Sequence, residues 1–195
     1  TINGFSNINS GAKVYVGGIA GLSKGLIQSC YTRCTVMGGT FLGGIAGEIS
    51  ENSTIKDCES MQTSNGVYTN NNFKQNVKAG GIVGQTISST ITGCISEQIV
   101  KVYASAAIYC GGIAGYAENS SISECANLGN VRAGYSGNTI YSTKAYVGGI
   151  AGYITGTSSS VSNCKNSGSI IGKSNYSEIL NNYSAFNQGF TVSPT

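Results

Sequence analysis

The sequence predicts an all-β fold, a parallel β-helix (β-solenoid) of about five to six coils with loop excursions. Three observations predict it: a motif that recurs in phase, short β-branched runs between glycine-rich turns, and a composition that disfavours helices. The motif is Gly-Gly-Ile-Ala-Gly, starting at Gly17, Gly43, Gly111 and Gly148, with a Gly-Gly-Ile-Val-Gly variant at Gly80. The starts are 26, 37, 31 and 37 residues apart, a period that marks a stack of equivalent units.

Further columns keep step with the motif. A cysteine follows each start: Cys30, Cys58, Cys94, Cys125 and Cys164. Three residues before each cysteine stands an aliphatic residue: Ile27, Ile55, Ile91, Ile122 and Val161. Two residues after it stands a small polar one: Thr32, Ser60, Ser96, Asn127 and Asn166. Six residues after it comes Val36, Val100, Val131 or Ile170, with Ser64 as the exception.

Runs such as Val14-Tyr15-Val16 and Ala145-Tyr146-Val147 lead into the glycines and read as strands. With 29 glycines, and with β-branched residues, Ser and Asn between them, helices are hard to sustain. The paired glycines predict a bend or bulge where the inward-facing phase changes. Unit length suits a coil of about three short strands, with surplus residues ejected as loops near Thr63 to Val77 and Gly134 to Lys144. In such a stack, equivalent residues lie about 4.8 Å apart, so each column must suit its own kind as a neighbour. Ile on Ile, Cys on Cys and Asn on Asn all do. An antiparallel sandwich gives no reason for in-phase columns. One repeat domain covers 1–195, with units starting near 14, 41, 78, 109 and 146 and an irregular or edge segment at 173–195.

The units, read as Val-Gly-Gly-Ile-Ala-Gly, then Ser-Ile-x-x-Cys-x-Asn, then Gly-x-Val, resemble the GLUG-type repeats of large bacterial surface proteins. These include adhesins and the non-catalytic region of IgA peptidases. The fullest copies run from Gly111 to Val131 and from Val147 to Ile170, and the resemblance covers about Val14 to Gly172. The unit around Gly80 departs most, with Lys78-Ala79 before the glycines and no glycine after Cys94. The resemblance implies a right-handed β-helix on an exported protein, at the cell surface or outside the cell.

Seven cysteines leave an odd one in any pairing scheme. One reading is a reduced internal ladder, since a buried thiol behaves as a small hydrophobe. Cys110, where other units have Val16, Leu42, Ala79 and Val147, reads as core as well. Disulfides between stacked neighbours are the other reading, though in-register side chains rarely reach the required torsion. No Cys-x-x-Cys pair and no histidine are present to build a zinc site.

Little in the chain points to catalysis. One aspartate, Asp57, and seven scattered glutamates do not suggest the paired carboxylates of a glycosidase. Without histidine, Ser-His or Cys-His activation is ruled out. A phosphate-binding loop is also missing. The chain is therefore expected to be no enzyme and to need no cofactor or metal. Its lysines and arginines are dispersed along the sequence, so nucleic acid is not expected as a partner. No apolar run is long enough to span a membrane.

Tyr15, Phe41, Tyr109 and Tyr146 share a column two residues before Gly-Gly, and Tyr116 and Tyr153 follow the motif. They form either an aromatic ladder or a binding face for sugars or a partner's apolar groups. Asn-x-Ser/Thr sequons at Asn52, Asn119, Asn175 and Asn182 are possible glycosylation sites. Three functions fit: a structural or adhesive surface module contacting a protein or glycan partner, a filament subunit stacked end to end on identical copies, and a carbohydrate-binding β-helix. Thr1 falls mid-pattern, as in a mature fragment of a longer chain.

Overall fold

In the computed structural model, which describes residues 1–4, 11–69, 74–136, 139–140 and 144–172, the chain winds into parallel coils. Each coil has five short strands where three were expected, because single-residue corners break what the sequence shows as continuous runs. The tyrosine sheet stacks Tyr15–Gly17, Phe41–Gly43, Val77–Gly80, Ile108–Gly111 and Ala145–Gly148. After the Gly-Gly turn comes the alanine sheet: Ala20–Ser23, Ala46–Ile49, Val83–Ile87, Ala114–Glu118 and Ala151–Thr155. The isoleucine sheet follows, with Leu26–Gln28, Thr54–Lys56, Thr90–Thr92, Ser121–Ser123 and Ser160–Ser162. A polar-ladder sheet comes after the cysteines: Tyr31–Thr32, Glu59–Ser60, Ile95–Ser96, Ala126–Asn127 and Lys165–Asn166. The valine sheet closes the coil with six rungs: Ile2–Asn3, Val36–Met37, Val67–Tyr68, Val100–Val102, Val131–Ala133 and Ile170–Gly172. Pairing within these five sheets is parallel and keeps the sequence columns in register, for example Ile91 with Ile55 and Ile122.

Two corners are made by left-handed residues. Ser29, Asp57, Gly93, Glu124 and Asn163, each just before its cysteine, have φ between 51° and 63°. Glu51 with Asn52, and singly Ser88, Asn119 and Gly156, turn the chain from the alanine to the isoleucine sheet in the same way. Asn, Asp and Gly tolerate this region best, which explains their frequency in both columns.

The interior is divided into two cores. One lies between the alanine and isoleucine sheets and holds Ile45, Ile82, Ile113, Ile150, the Ile27 to Val161 column and four of the five ladder cysteines, with Cys30 at its margin. The other lies between the tyrosine and valine sheets, around Leu42, Val67, Val100, Cys110, Val131 and Val147. Each fully buried Ile or Val contributes roughly 1.5–3 kcal/mol.

The Gly-Gly turn reaches into the waist between the cores and abuts the polar ladder. A Cβ on Gly112 would lie 2.1 Å from Gly149 O and 2.2 Å from Asn127 Cγ; one on Gly81 would lie 1.9 Å from Ser96 Oγ. Only glycine fits there, and this close approach, rather than a bulge, is why the pair recurs. In the ladder, Asn127 Nδ2 donates to Asn166 Oδ1 at 2.7 Å and to Gly129 O at 2.8 Å.

Ser64 is not the aliphatic column's true occupant. Val67 pairs with Val36 and Val100, so the second coil carries three extra residues and then regains register. The excursion expected from Thr63 to Val77 therefore contains a rung. The one expected from Gly134 to Lys144 contains a small antiparallel hairpin, Tyr135–Ser136 with Thr139–Ile140. The segment 173–195 lies outside the described residues.

Candidate functional site

The outer surface of the Gly-Gly turn is a groove running along the solenoid axis. One wall is the outward column of the tyrosine sheet: Tyr15, Phe41, Lys78, Tyr109 and Tyr146. The facing wall is Leu22, Glu48, Gln85, Tyr116 and Tyr153, from the alanine sheet. The walls come close because the last glycine of each motif lies against the opposite backbone. A Cβ would meet Ala79 N at 2.4 Å from Gly115 and Cys110 N at 2.5 Å from Gly152.

The six aromatic residues singled out by the sequence all lie in this groove. Tyr109 stacks on Tyr146 at 4.9 Å with planes 1° apart, Tyr15 on Phe41 at 4.7 Å, and Tyr116 on Tyr153 at 5.5 Å. Across the groove, Tyr109 meets Tyr116, and Tyr146 meets Tyr153, edge to face at 5.5 and 5.0 Å. Within each pair the rings spend a face on each other, as neighbouring rungs of an aromatic ladder do.

Lys78 fills the rung between Phe41 and Tyr109, a position that the sequence showed only as a departure from the pattern. Its Nζ donates to Gln85 Oε1 at 2.5 Å and lies 3.8 Å from the Tyr116 centroid. Burial pulls the Lys78 ammonium below the usual lysine range, with Glu48 and Glu118 opposing. Burial also pushes the Tyr116 hydroxyl up to about 12, and Glu118, which accepts its hydrogen bond at 3.4 Å, adds to the effect. The cluster thus has a cation held by aromatic faces and an amide, an arrangement suited to fixing the two walls together.

The cysteine column is internal, and the structure holds all seven cysteines as free thiols. Each ladder thiol donates to the carbonyl two residues back, from Cys125 to Ser123 O at 3.1 Å to Cys30 to Gln28 O at 3.3 Å. The upper four also approach the isoleucine-column carbonyl of a preceding coil, as Cys58 does to Ile27 O at 3.6 Å. A second internal ladder went unread in the sequence. Ser53, Ser89, Ser120 and Ser159 are buried, and the Ser53, Ser89 and Ser120 amides each donate to the next serine hydroxyl at 3.2–3.4 Å. Its signal is a serine two residues before the aliphatic column in four of the five units.

Asn52 and Asn119 are exposed at the left-handed corner; Asn175 and Asn182 lie outside the described residues. Among the described residues there is no group of three or more metal-ligating side chains, and no helix long and apolar enough to cross a membrane.

The largest differences in repeat length gather at one place, with smaller ones at 61–66 before the valine sheet and at 50–53 and 156–159 before the isoleucine sheet. Between the valine and tyrosine sheets the connections are 38–40, 69–76, 103–107 and 134–144, whereas every Gly-Gly turn has the same length. Beside this corner, Lys13, Thr40, Phe41, Lys74 and Asn76 contribute to a shallow hollow of about 360 Å³. Lys13 and Lys74 are far apart in sequence, so a linear search for a basic run passes over them.

Comparison with known proteins gives one match. Residues 145–171, the last full coil of the described stack, match the family model of the GLUG motif. No curated protein matches the chain, and no solved structure does. The match falls on the unit that runs from the tyrosine sheet through both left-handed corners to the valine sheet, and the other four coils repeat its columns in register.

Proposed function

We propose that this repeat module is a non-catalytic, adhesive element of an extracellular or cell-surface protein, a stalk that presents loops to a protein or glycan partner. The observation that carries this reading is the collection of the longest and most unequal connections at one corner of the coil. Insertions in a solenoid are tolerated wherever they do not disturb stacking, and their concentration on one side is typical of a binding face. The resemblance to GLUG-type repeats of bacterial surface proteins supports the same reading.

The test is to replace 69–76 and 134–144 by a three-residue connection like that at 38–40 and display the protein on beads. Capture of the beads by cells or extracellular matrix should fall while the β-sheet circular dichroism and melting temperature persist. Undiminished capture by the shortened, folded protein would reject the reading.

A further inference from the structure

Folding sorts the charges that the sequence scatters. Lys13, Lys74 and Lys144 stand at the loop corner, and Lys101 and Arg132 are register partners on the adjoining valine sheet. Among the described carboxylates, Glu51, Asp57, Glu59, Glu97 and Glu124 sit around the isoleucine and polar-ladder sheets instead. The ion pairs Lys24–Glu51 and Lys56–Asp57 are there too. Glu48 and Glu118 belong to the groove. One side of the solenoid is therefore basic, although the net charge is only +3.

Among the described residues, the same side has few large exposed apolar anchors. The large exposed hydrophobic side chains among them are Ile19, Leu22 and Leu26 on the first coil, and Tyr31, Ile95 and Leu128 along the polar-ladder side. A protein partner normally needs a desolvated apolar centre, and none of these six side chains lies on the basic side. What that side offers instead is one pair of cations on successive rungs about 4.8 Å apart, Lys101 and Arg132, and a hollow lined by two ammonium groups and an amide. A linear polyanion made of hydroxylated rings matches that chemistry.

We propose that the loop corner binds an acidic polysaccharide, gripped by Lys13 and Lys74 at the hollow and by Lys101 and Arg132 on the adjoining sheet. The inference rests on the display reading and names the class of its partner. Attraction between exposed charges is screened by salt, so binding weakens as ionic strength rises.

The experiment is calorimetric or surface binding of the whole chain to polygalacturonate and to chondroitin sulfate, with neutral dextran and duplex DNA as comparisons. Both acidic glycans should bind at low salt and dextran should not. The double variant Lys13→Gln, Lys74→Gln should bind about tenfold more weakly, the combined worth of two exposed charge contacts. Lys56→Gln with Lys165→Gln changes the net charge equally on the opposite side and should leave affinity unchanged. Three results would each overturn the inference: no binding of either acidic glycan, equal losses in the two double variants, or equally tight binding of duplex DNA. If bead capture still depends on the loops when no acidic glycan binds, the display reading stands and this one falls.

Discussion

Lys78 and Tyr116 meet across the groove, the ammonium 3.8 Å from the ring centroid, although they lie on different sheets and different coils. The contact exists because the Gly-Gly turn folds the tyrosine and alanine strands back on each other. It places a cation where neighbouring rungs carry aromatic rings, and it leaves Glu48, one rung away from Gln85, enclosed nearby.

That enclosure gives Glu48 a pH signature. Burial raises its carboxyl above the ordinary value, and the pull of Lys13 and Lys78 in the other direction does not cancel the effect. A carboxyl raised in the folded state contributes stability that is fully present below its unfolded value and lost as pH rises through the folded one. Glu48→Gln carries no charge at any pH. Its melting temperature relative to the parent should therefore climb as pH rises above the ordinary glutamate value of about 4.3. A pH-independent difference in thermal melts would mean that Glu48 is solvated.

The waist makes a sharper demand. Gly112→Ala places a methyl group 2.1 Å from a backbone carbonyl that belongs to the next coil, and neither coil can withdraw without breaking register. The expected loss is about 3 kcal/mol or more, at the upper end of overpacking effects. Gly25→Ala, with nothing within 4 Å of the new methyl and no left-handed φ, should be neutral or stabilising by up to about 1 kcal/mol. Urea unfolding of the two variants checks the contrast, and equal effects would refute it.

The ladders were legible because a parallel stack repeats its own neighbours: Ile91 needs Ile55 and Ile122, and the sequence prints all three at the same offset from cysteine. The substitution of Val67 for Ser64 was not legible, since a fixed offset cannot register a three-residue insertion that restores itself. The five strands of each coil were hidden for a related reason. Their corners are single left-handed residues such as Asp57 and Asn163, too short to interrupt a hydrophobic pattern. The groove was half visible. Both aromatic columns could be read, but their facing depends on the fold angle at Gly-Gly, so the meeting of Lys78 with Gln85 and Tyr116 could not be. The hollow joins Lys13 to Lys74 through the coil itself.

Position along the stack should matter as much as column. Ile122 is fully buried between Ile91 and Val161, so Ile122→Asp places an unpaired carboxylate in the core and should prevent folding. Ile19 belongs to the Ile45 and Ile82 column but lies half exposed on the first coil. Ile19→Asp should leave the circular dichroism spectrum and melting temperature close to those of the parent. A collapse of Ile19→Asp would show that the first coil's face is covered in solution.

The thiols separate the internal ladder from the solvent. The reactive species is the thiolate, and burial disfavours it. Burial pushes Cys58 up to about 11 and Cys110 far above the usual thiol range, while hydrogen bonding with Cys164 and Cys94 raises Cys125. The Cys125 thiol favours the Cys94 and Cys164 thiolates, yet both sulfurs remain buried. Cys30 and Cys34 are the half-exposed members, and burial holds Cys34 back by raising it. Brief alkylation of the native protein, followed by peptide mapping, should therefore label Cys30 first and Cys34 next. Cys58, Cys94, Cys110, Cys125 and Cys164 should react only once the coils are unfolded by denaturant. If Cys58 is labelled as fast as Cys30 in native buffer, the column faces solvent and the two-core interior is wrong. If the buried thiols stay silent even after unfolding, and reduction restores their labelling, stacked neighbours have oxidised to disulfides, and the coils are stapled covalently rather than by packing alone.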